Sequence, residues 1–174
     1  MDDQTLIRRI CDAALLHGDF TLRSGRKSRY YLDKYLFETQ PDILSELGKR
    51  LAHHVTDDVD VLAGAELGGI PLVAAAAMAS GKPCVLIRNQ KKGYGTAKQL
   101  EGRLESGQRV MMVEDVVTTG GQLLEAAKVI ENLGATVVKI VAVIDRQEGA
   151  REAIESAGYS FDALLTKTDL GIRE

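Results

Sequence analysis

The sequence predicts an α/β domain, a central and mainly parallel sheet flanked by helices, preceded by a small N-terminal hairpin-like flap. Three observations lead there. Apolar runs without polar alternation, at residues 110–113 and 135–144, are what a strand shows when a parallel sheet is covered on both faces. Segments with apolar residues at helical spacing separate such runs. Glycine-rich stretches at 64–71 and 118–122 each stand between a strand and a helix, where free backbone N–H groups favour an anion.

Each element follows in order. Residues 3–16 place Leu6, Ile7, Ile10, Ala13, Ala14 and Leu16 at the spacing of an amphipathic helix, which Gly18 is expected to stop. Residues 20–33 hold two short extended pieces about Ser24-Gly25-Arg26, with Arg23, Arg26, Lys27 and Arg29 crowded together, a hairpin-like flap. By composition alone this is a charged surface hairpin. Residues 41–55 carry a stripe of Ile43, Leu44, Leu47, Leu51, Ala52 and Val55, with Pro41 in the first turn and Asp42 on the positive helix end. His53 and His54 are adjacent, point to different sides and are expected at the surface. A strand at 59–63, an alanine-rich helix at 72–79 and a third short strand at 83–88 come next. Residues 89–102, NQKKGYGTAKQLEG, have no period of two or 3.6 and read as a mobile loop. The run 110–113 leads through Glu114 and Asp115 to a helix marked by Leu123, Leu124, Ala127, Ile130 and Leu133. A β-branched strand at 135–144, a helix at 151–158 and a strand at 159–165 complete the chain.

At 174 residues the chain reads as one domain, 1–174, with hood elements in 1–40, a core in 41–165 and the loop 89–102 inserted in it. A net charge of −3 leaves no overall basic field, which argues against nucleic acid as a partner. No apolar run approaches the ~18 residues of a membrane span, and the opening Met-Asp-Asp is not a signal segment. A cytoplasmic protein with no membrane partner is expected. Cys11 and Cys84, each among apolar neighbours, read as buried thiols of a reducing compartment rather than disulfide or metal ligands.

The chemistry concentrates in residues 109–122, RVMMVEDVVTTGGQ, in which a strand, two carboxylates, a hydroxyl- and glycine-rich turn and a helix follow one another. Helix capping needs only one of these residues, so an ordinary strand-to-helix turn leaves the acidic pair without a purpose. The stretch resembles the phosphoribosyl pyrophosphate (PRPP) signature of the type I phosphoribosyltransferases. The resemblance implies that Glu114 and Asp115 hold the ribose 2- and 3-hydroxyls. It also implies that Thr118, Thr119, Gly120, Gly121 and Gln122 wrap the 5-phosphate, with Val116 and Val117 in the same PRPP-binding stretch.

Other segments resemble the orotate phosphoribosyltransferases in particular. Phe-Thr-Leu-x-Ser-Gly followed by Lys-Ser-x-Tyr-Tyr is similar to that family's N-terminal hood, which implies that Arg23 contacts the base beneath an aromatic pair at Tyr30 and Tyr31. Arg23 stands where some members carry Lys; the charge role is kept, while a guanidinium grips a carboxylate with different geometry. Residues 64–71 resemble the pyrophosphate loop, often with an unusual cis peptide near its middle; Gly68 stands where some members have Lys. The loop resembles the catalytic loop Arg-Lys-x-x-Lys-x-His-Gly, matching at Arg88, Lys92 and Gly95, with Asn89 and Tyr94 replacing the first Lys and the His and Lys91 adding a charge. The resemblance implies catalytic roles for Lys92, Arg88, Lys91 and Asp115 and PRPP contacts from Arg88, Lys91, Lys92 and Tyr94. A phenol holds its proton more strongly than an imidazole, so Tyr94 is expected to hydrogen-bond pyrophosphate rather than act as an acid. Asp145-Arg146-Gln147-Glu148-Gly149 is similar to the segment whose arginine grips orotate, which places Arg146, with Thr118, on the orotate side.

The resemblance thus implies a type I phosphoribosyltransferase fold and transfer of the phosphoribosyl group from PRPP to orotate. It implies Mg²⁺ held largely by substrate and water, so that no metal ligand is assigned to the protein. It further implies a homodimer in which residues 89–102 complete the neighbouring site. Two other readings remain open: a transferase for another base, which would have no evident need of Arg23 and Arg146, or a non-enzymatic nucleotide-sensing regulator of the same fold.

Overall fold

The computed structural model describes residues 1–21, 25, 27–89 and 99–172. Six helices are present in these residues: α1 (Asp3–Ala14), α2 (Lys34–Glu38), α3 (Pro41–Ala52), α4 (Gly69–Ser80), α5 (Gly121–Glu131) and α6 (Ala150–Ser156). The strands are β1 (Leu15–Thr21), β2 (Lys27–Leu32), β3 (Val61–Ala65), β4 (Cys84–Ile87), β5 (Leu100–Glu101), β6 (Arg109–Val117), β7 (Thr136–Asp145) and β8 (Phe161–Thr166). β1 and β2 form an antiparallel hairpin of their own. The other six make one sheet in the order β5-β4-β3-β6-β7-β8, parallel throughout except for the edge strand β5.

The pleat sorts the apolar residues into two cores. Leu62, Met111, Val113, Val141 and Val143 meet α1, α3 and α4 through Leu6, Ile10, Ile43, Leu47, Leu72 and Val73. On the opposite face Val61, Ala63, Val110, Met112, Ile140 and Ala142 meet α5 and α6 through Leu123, Ala127, Ile130, Ala150 and Ile154. Alternate residues of one strand therefore serve different cores, which is why these strands read as continuous apolar runs. Each fully buried aliphatic side chain stabilises by about 1.5–3 kcal/mol, so helices on both faces hold the strand ends at fixed positions.

Several expectations are corrected. The first helix ends at Ala14 rather than Leu16: Leu15 turns to extended backbone, and Leu15 and Leu16 pair with Leu32 and Tyr31. Gly18 lies inside β1 and stops nothing. Apolar residues at 15 and 16 fit both periods, and cross-strand pairing decided between them. β6 runs on to Val117, because Glu114, Val116 and Val117 pair with Ala142, Ile144 and Asp145 of β7. The acidic pair is thus part of the strand rather than of the turn after it. Leu100 and Glu101, at the end of the expected loop, pair with Ile87 and Leu86.

The short helix α2 has too few turns for a periodic signal; it is begun by the Asp33 side chain, which accepts from the Tyr35 N–H at 3.2 Å. His53 is exposed, but His54 is half-buried with Nδ1 3.2 Å from Asp162 Oδ2 and 3.2 Å from Lys139 Nζ. Cys11 and Cys84 are free and only partly buried, and burial pushes both thiols up, away from reactivity. Among the described residues no helix is long and apolar enough to cross a membrane.

Candidate active site

β3 and β6 are neighbours in the middle of the sheet, yet their connections diverge. β3 leads through α4 to β4 on one side, and β6 through α5 to β7 on the other. A crevice opens at the carboxyl ends of strands where the winding direction reverses in this way. Here it is a cavity of about 600 Å³ bounded by residues 65–68, the end of β4 at 87–89, residues 114–123 and Lys34.

One wall is the turn between β6 and α5. Thr118 and Thr119 form a bend, and Gly120 takes φ 79°, a left-handed conformation that favours glycine. A side chain at Gly120 would also come within 3.3 Å of Ile154, whereas nothing lies within 4 Å of a Cβ placed at Gly121. α5 has no side-chain cap, so the N–H groups of its first turn are available to an anion in the space beside Gly121. The opposite wall is the short connection 66–68 between β3 and α4, which contains the cis peptide bond Glu66–Leu67. Glu66 Oε1 accepts the Asn89 N–H at 2.6 Å, tying this loop to the end of β4. Arg88 lines the same cavity, and its guanidinium lies 3.8 Å from Glu101.

The floor is a charge cluster around Asp115, whose side chain is 1% exposed. Asp115 Oδ1 accepts the Val116 N–H, and Oδ2 lies 2.6 Å from Lys34 Nζ. That second contact is a close ion pair. Glu38, one helical turn beyond Lys34, is 1% exposed, and neither carboxyl oxygen has a hydrogen-bond partner. Burial, reinforced by the nearby Asp115 charge, pushes the Glu38 carboxyl up to about 8. Burial and then Asp115 likewise push Glu114 well above the usual carboxylate range. For Lys34 burial disfavours the ammonium, but Asp115 outweighs it and the pKa moves up. The cluster therefore favours the charged form of Lys34 and the neutral forms of Glu38 and Glu114, with the Lys34 ammonium set directly against Asp115.

Gly68 makes this packing possible. Its backbone is right-handed helical, φ −66° and ψ −30°, so any residue could adopt it. A Cβ there, however, would lie 1.6 Å from Asp115 Oδ2 and 3.1 Å from Glu38 Oε1. The lysine that the resemblance sets at this position in some members has no room here.

A second group forms at the end of β7. The Arg146 N–H donates to the Val117 carbonyl at 3.0 Å, holding the two strand ends side by side. The Arg146 guanidinium reaches Glu148 at 3.0 Å and the Tyr30 hydroxyl at 3.5 Å. Tyr31, the next residue on β2, is exposed and packs on Phe20 with ring centroids 5.7 Å apart. The aromatic pair expected over the base is thus split by strand alternation, and only Tyr30 meets Arg146.

The structure brings Arg88 and residues 114–122 to one cavity and sets Arg146 with Tyr30 at the adjoining strand end. Arg23, Lys91, Lys92 and Tyr94 lie outside the described residues. Sequence reasoning missed Lys34 and Glu38. A lysine and a glutamate in a five-residue helix form no motif, and only Asp33 as a capping residue hinted at a helix there.

Two loops and an uncapped helix on one crevice are the architecture of a phosphoribosyl-transferring domain, and residues 37–162 match the family model described as phosphoribosyl transferase domain. The chain is 44% identical over 169 residues to the orotate phosphoribosyltransferase of Halobacterium salinarum, covering 97% of this chain and 95% of the relative. It is 46% identical over 157 residues to that of Methanocella arvoryzae, covering 90% of each. The crystal structure of Mycobacterium tuberculosis orotate phosphoribosyltransferase in complex with Fe(III) dicitrate superposes with a TM-score of 0.87 at 34% identity, covering 96% of this chain and 97% of that one. The chain belongs to the orotate phosphoribosyltransferase family, and it is an enzyme of the pentosyl-transferring class.

Proposed function

We propose that the crevice transfers the 5-phosphoribosyl group from PRPP to orotate, giving orotidine 5-monophosphate and pyrophosphate in UMP biosynthesis. The observation that carries this is the convergence of the acidic pair of β6 and the uncapped start of α5 on one cavity, with Arg146 and Tyr30 at the next strand end. A structure of the Mycobacterium tuberculosis relative, 31% identical and covering 96% of this chain with a TM-score of 0.78, is a complex with PRPP.

In this reading the α5 N–H groups and Thr118 to Gln122 hold the 5-phosphate, and Glu114 and Asp115 hold the ribose hydroxyls. Arg146, Tyr30 and Arg23 receive the carboxylated base; a guanidinium suits a carboxylate because it can donate two parallel hydrogen bonds. Bond cleavage at the anomeric carbon develops positive charge on the sugar and negative charge on the leaving pyrophosphate. Positioning and electrostatic stabilisation are then the main task of the protein, and no side-chain nucleophile is required. Lys91 and Lys92 of the 89–102 segment, with Arg88, meet the leaving group.

Magnesium fits the donor chemistry. Glu66, Glu114 and Asp115 are hard oxygen donors on the cavity wall, but no group of three or more His, Cys, Asp or Glu among the described residues could hold an ion alone. An ion that keeps several waters and takes most ligands from phosphate suits that arrangement; when bound it would neutralise pyrophosphate charge. A cytoplasmic homodimer, with residues 89–102 completing the neighbouring site, is part of the same reading, and the free thiols Cys11 and Cys84 favour a reducing compartment.

The test is loss of orotate absorbance with PRPP and Mg²⁺, run beside adenine, hypoxanthine and uracil. Turnover of orotate alone is expected. Turnover of another base in preference to orotate, or of none, overturns the assignment.

A further inference from the structure

Among the described residues the cavity is poorly supplied with positive charge for a substrate that carries several negative ones. Among its described lining residues the cations are Lys34 and Arg88, against Glu66, Asp115 and Glu125, with Glu114 shifted toward its neutral form. Arg88 is turned to Glu101. Lys34 lines the cavity beside the acidic pair, with its side chain 33% exposed and its ammonium against Asp115.

Three features make Lys34 more than a counter-ion. An ammonium has three donors, and the Asp115 contact occupies one direction. Glu38, the other carboxyl packed beside Asp115, is 1% exposed, and burial favours its neutral form, so it competes little for the Lys34 ammonium. Finally, α2 is anchored at both ends, by the Asp33 cap and by Phe37, which is 0% exposed in the core. The lysine is therefore delivered by a fixed element and not by a loop.

We propose that Lys34 binds the diphosphate of the incoming sugar while staying paired with Asp115, so that one side chain couples the leaving group to the carboxylate under the ribose. The proposal rests on the PRPP reading of this crevice. It makes Lys34 a diphosphate-binding residue supplied by the hood, and it gives the hood a part in recognising the sugar donor as well as the base.

The experiment is calorimetric titration of the full chain and of Lys34→Met and Lys34→Arg, with inorganic pyrophosphate plus Mg²⁺ as one probe and ribose 5-phosphate as the other. Orotate turnover by the unaltered chain is measured first, so that failure of the PRPP reading is recognised separately. Lys34→Met should weaken pyrophosphate about tenfold, the ratio that ~1.4 kcal/mol produces, and ribose 5-phosphate less. Lys34→Arg, which keeps the charge, should hold pyrophosphate within about threefold of the unaltered chain. Unchanged pyrophosphate affinity in Lys34→Met, an equal loss for both probes, or equal loss in both variants would show that Lys34 only props Asp115 and would overturn the proposal.

Discussion

Replacing Gly68 by alanine tests the packing on which the site depends. At a right-handed helical position, Gly→Ala ordinarily stabilises a protein by about 0.4–1 kcal/mol, because the unfolded chain loses freedom. Gly68 has that backbone, φ −66° and ψ −30°, so propensity alone predicts a more stable variant. The contacts predict the opposite. The new Cβ would lie 1.6 Å from Asp115 Oδ2 and 2.6 Å from its Cγ, far inside van der Waals distance. If Asp115 yields, its 2.6 Å pairing with Lys34 breaks. Removing one partner from a fully buried pair costs about 3–5 kcal/mol, and the part exposure of Lys34 brings that to about 2–3 kcal/mol. If α4 yields instead, the overpacking costs about 1–3 kcal/mol.

Either route gives a net loss of about 1–2 kcal/mol, read as a lower urea midpoint at unchanged m, with PRPP binding weakened where Asp115 is displaced. The double variant Gly68→Ala with Asp115→Ala removes the clash and should show a coupling of about 1 kcal/mol or more. It should be about as stable as Asp115→Ala alone, with PRPP affinity not recovered. A Gly68→Ala chain that is as stable as the parent and binds PRPP equally would refute the reasoning.

Three further outcomes are expected. Arg146→Ala should raise the orotate KM about 10- to 100-fold, the loss of a charge-assisted hydrogen bond of ~1.5–3 kcal/mol, and leave PRPP affinity unchanged by calorimetry; unchanged orotate affinity would remove Arg146 from the base site. Lys92→Ala should lower kcat about 100-fold or more while orotidine 5-monophosphate binding shifts little, since a group acting on the departing charge works in the transition state; equal turnover would exclude that role. Glu38 keeps its proton up to about 8 in the folded chain against 4.5 ordinarily. Between those values the unfolded chain has lost the proton and the native one has not, so its contribution is full below 4.5 and declines by up to about 1.4 kcal/mol per pH unit until it levels off above 8. Glu38→Gln should flatten that part of the stability–pH curve, and parallel curves for the two chains would rule out a buried neutral Glu38.

The legible parts of the site were those in which chemistry is contiguous along the chain. Glu114 to Gln122 form one uninterrupted phosphate-site pattern, and the structure sets them on one cavity. The strands at 110–113 and 135–144 were legible because burial on two faces leaves continuous apolar runs. Boundaries were less so. Leu15 and Leu16 suit a helix face and a hairpin equally, and pairing with Leu32 and Tyr31 settled the matter. The aromatic pair Tyr30–Tyr31 read as a unit in the sequence, but adjacent strand residues leave on opposite sides, and only Tyr30 meets Arg146.

By itself the sequence determined the fold class, the central signature and the family resemblance, because each is carried by local patterns that survive without knowing what packs on what. Only the tertiary structure decided that Lys34, Glu38 and Gly68 belong to the same site as Asp115. The physical reason is distance along the chain: Asp115 gains its counter-ion from a five-residue helix some eighty positions earlier and its packing space from a glycine in another loop. No periodicity or motif records such a meeting. It exists because the sheet order places β3 beside β6 and α2, packed on α1 and α3, reaches their carboxyl ends.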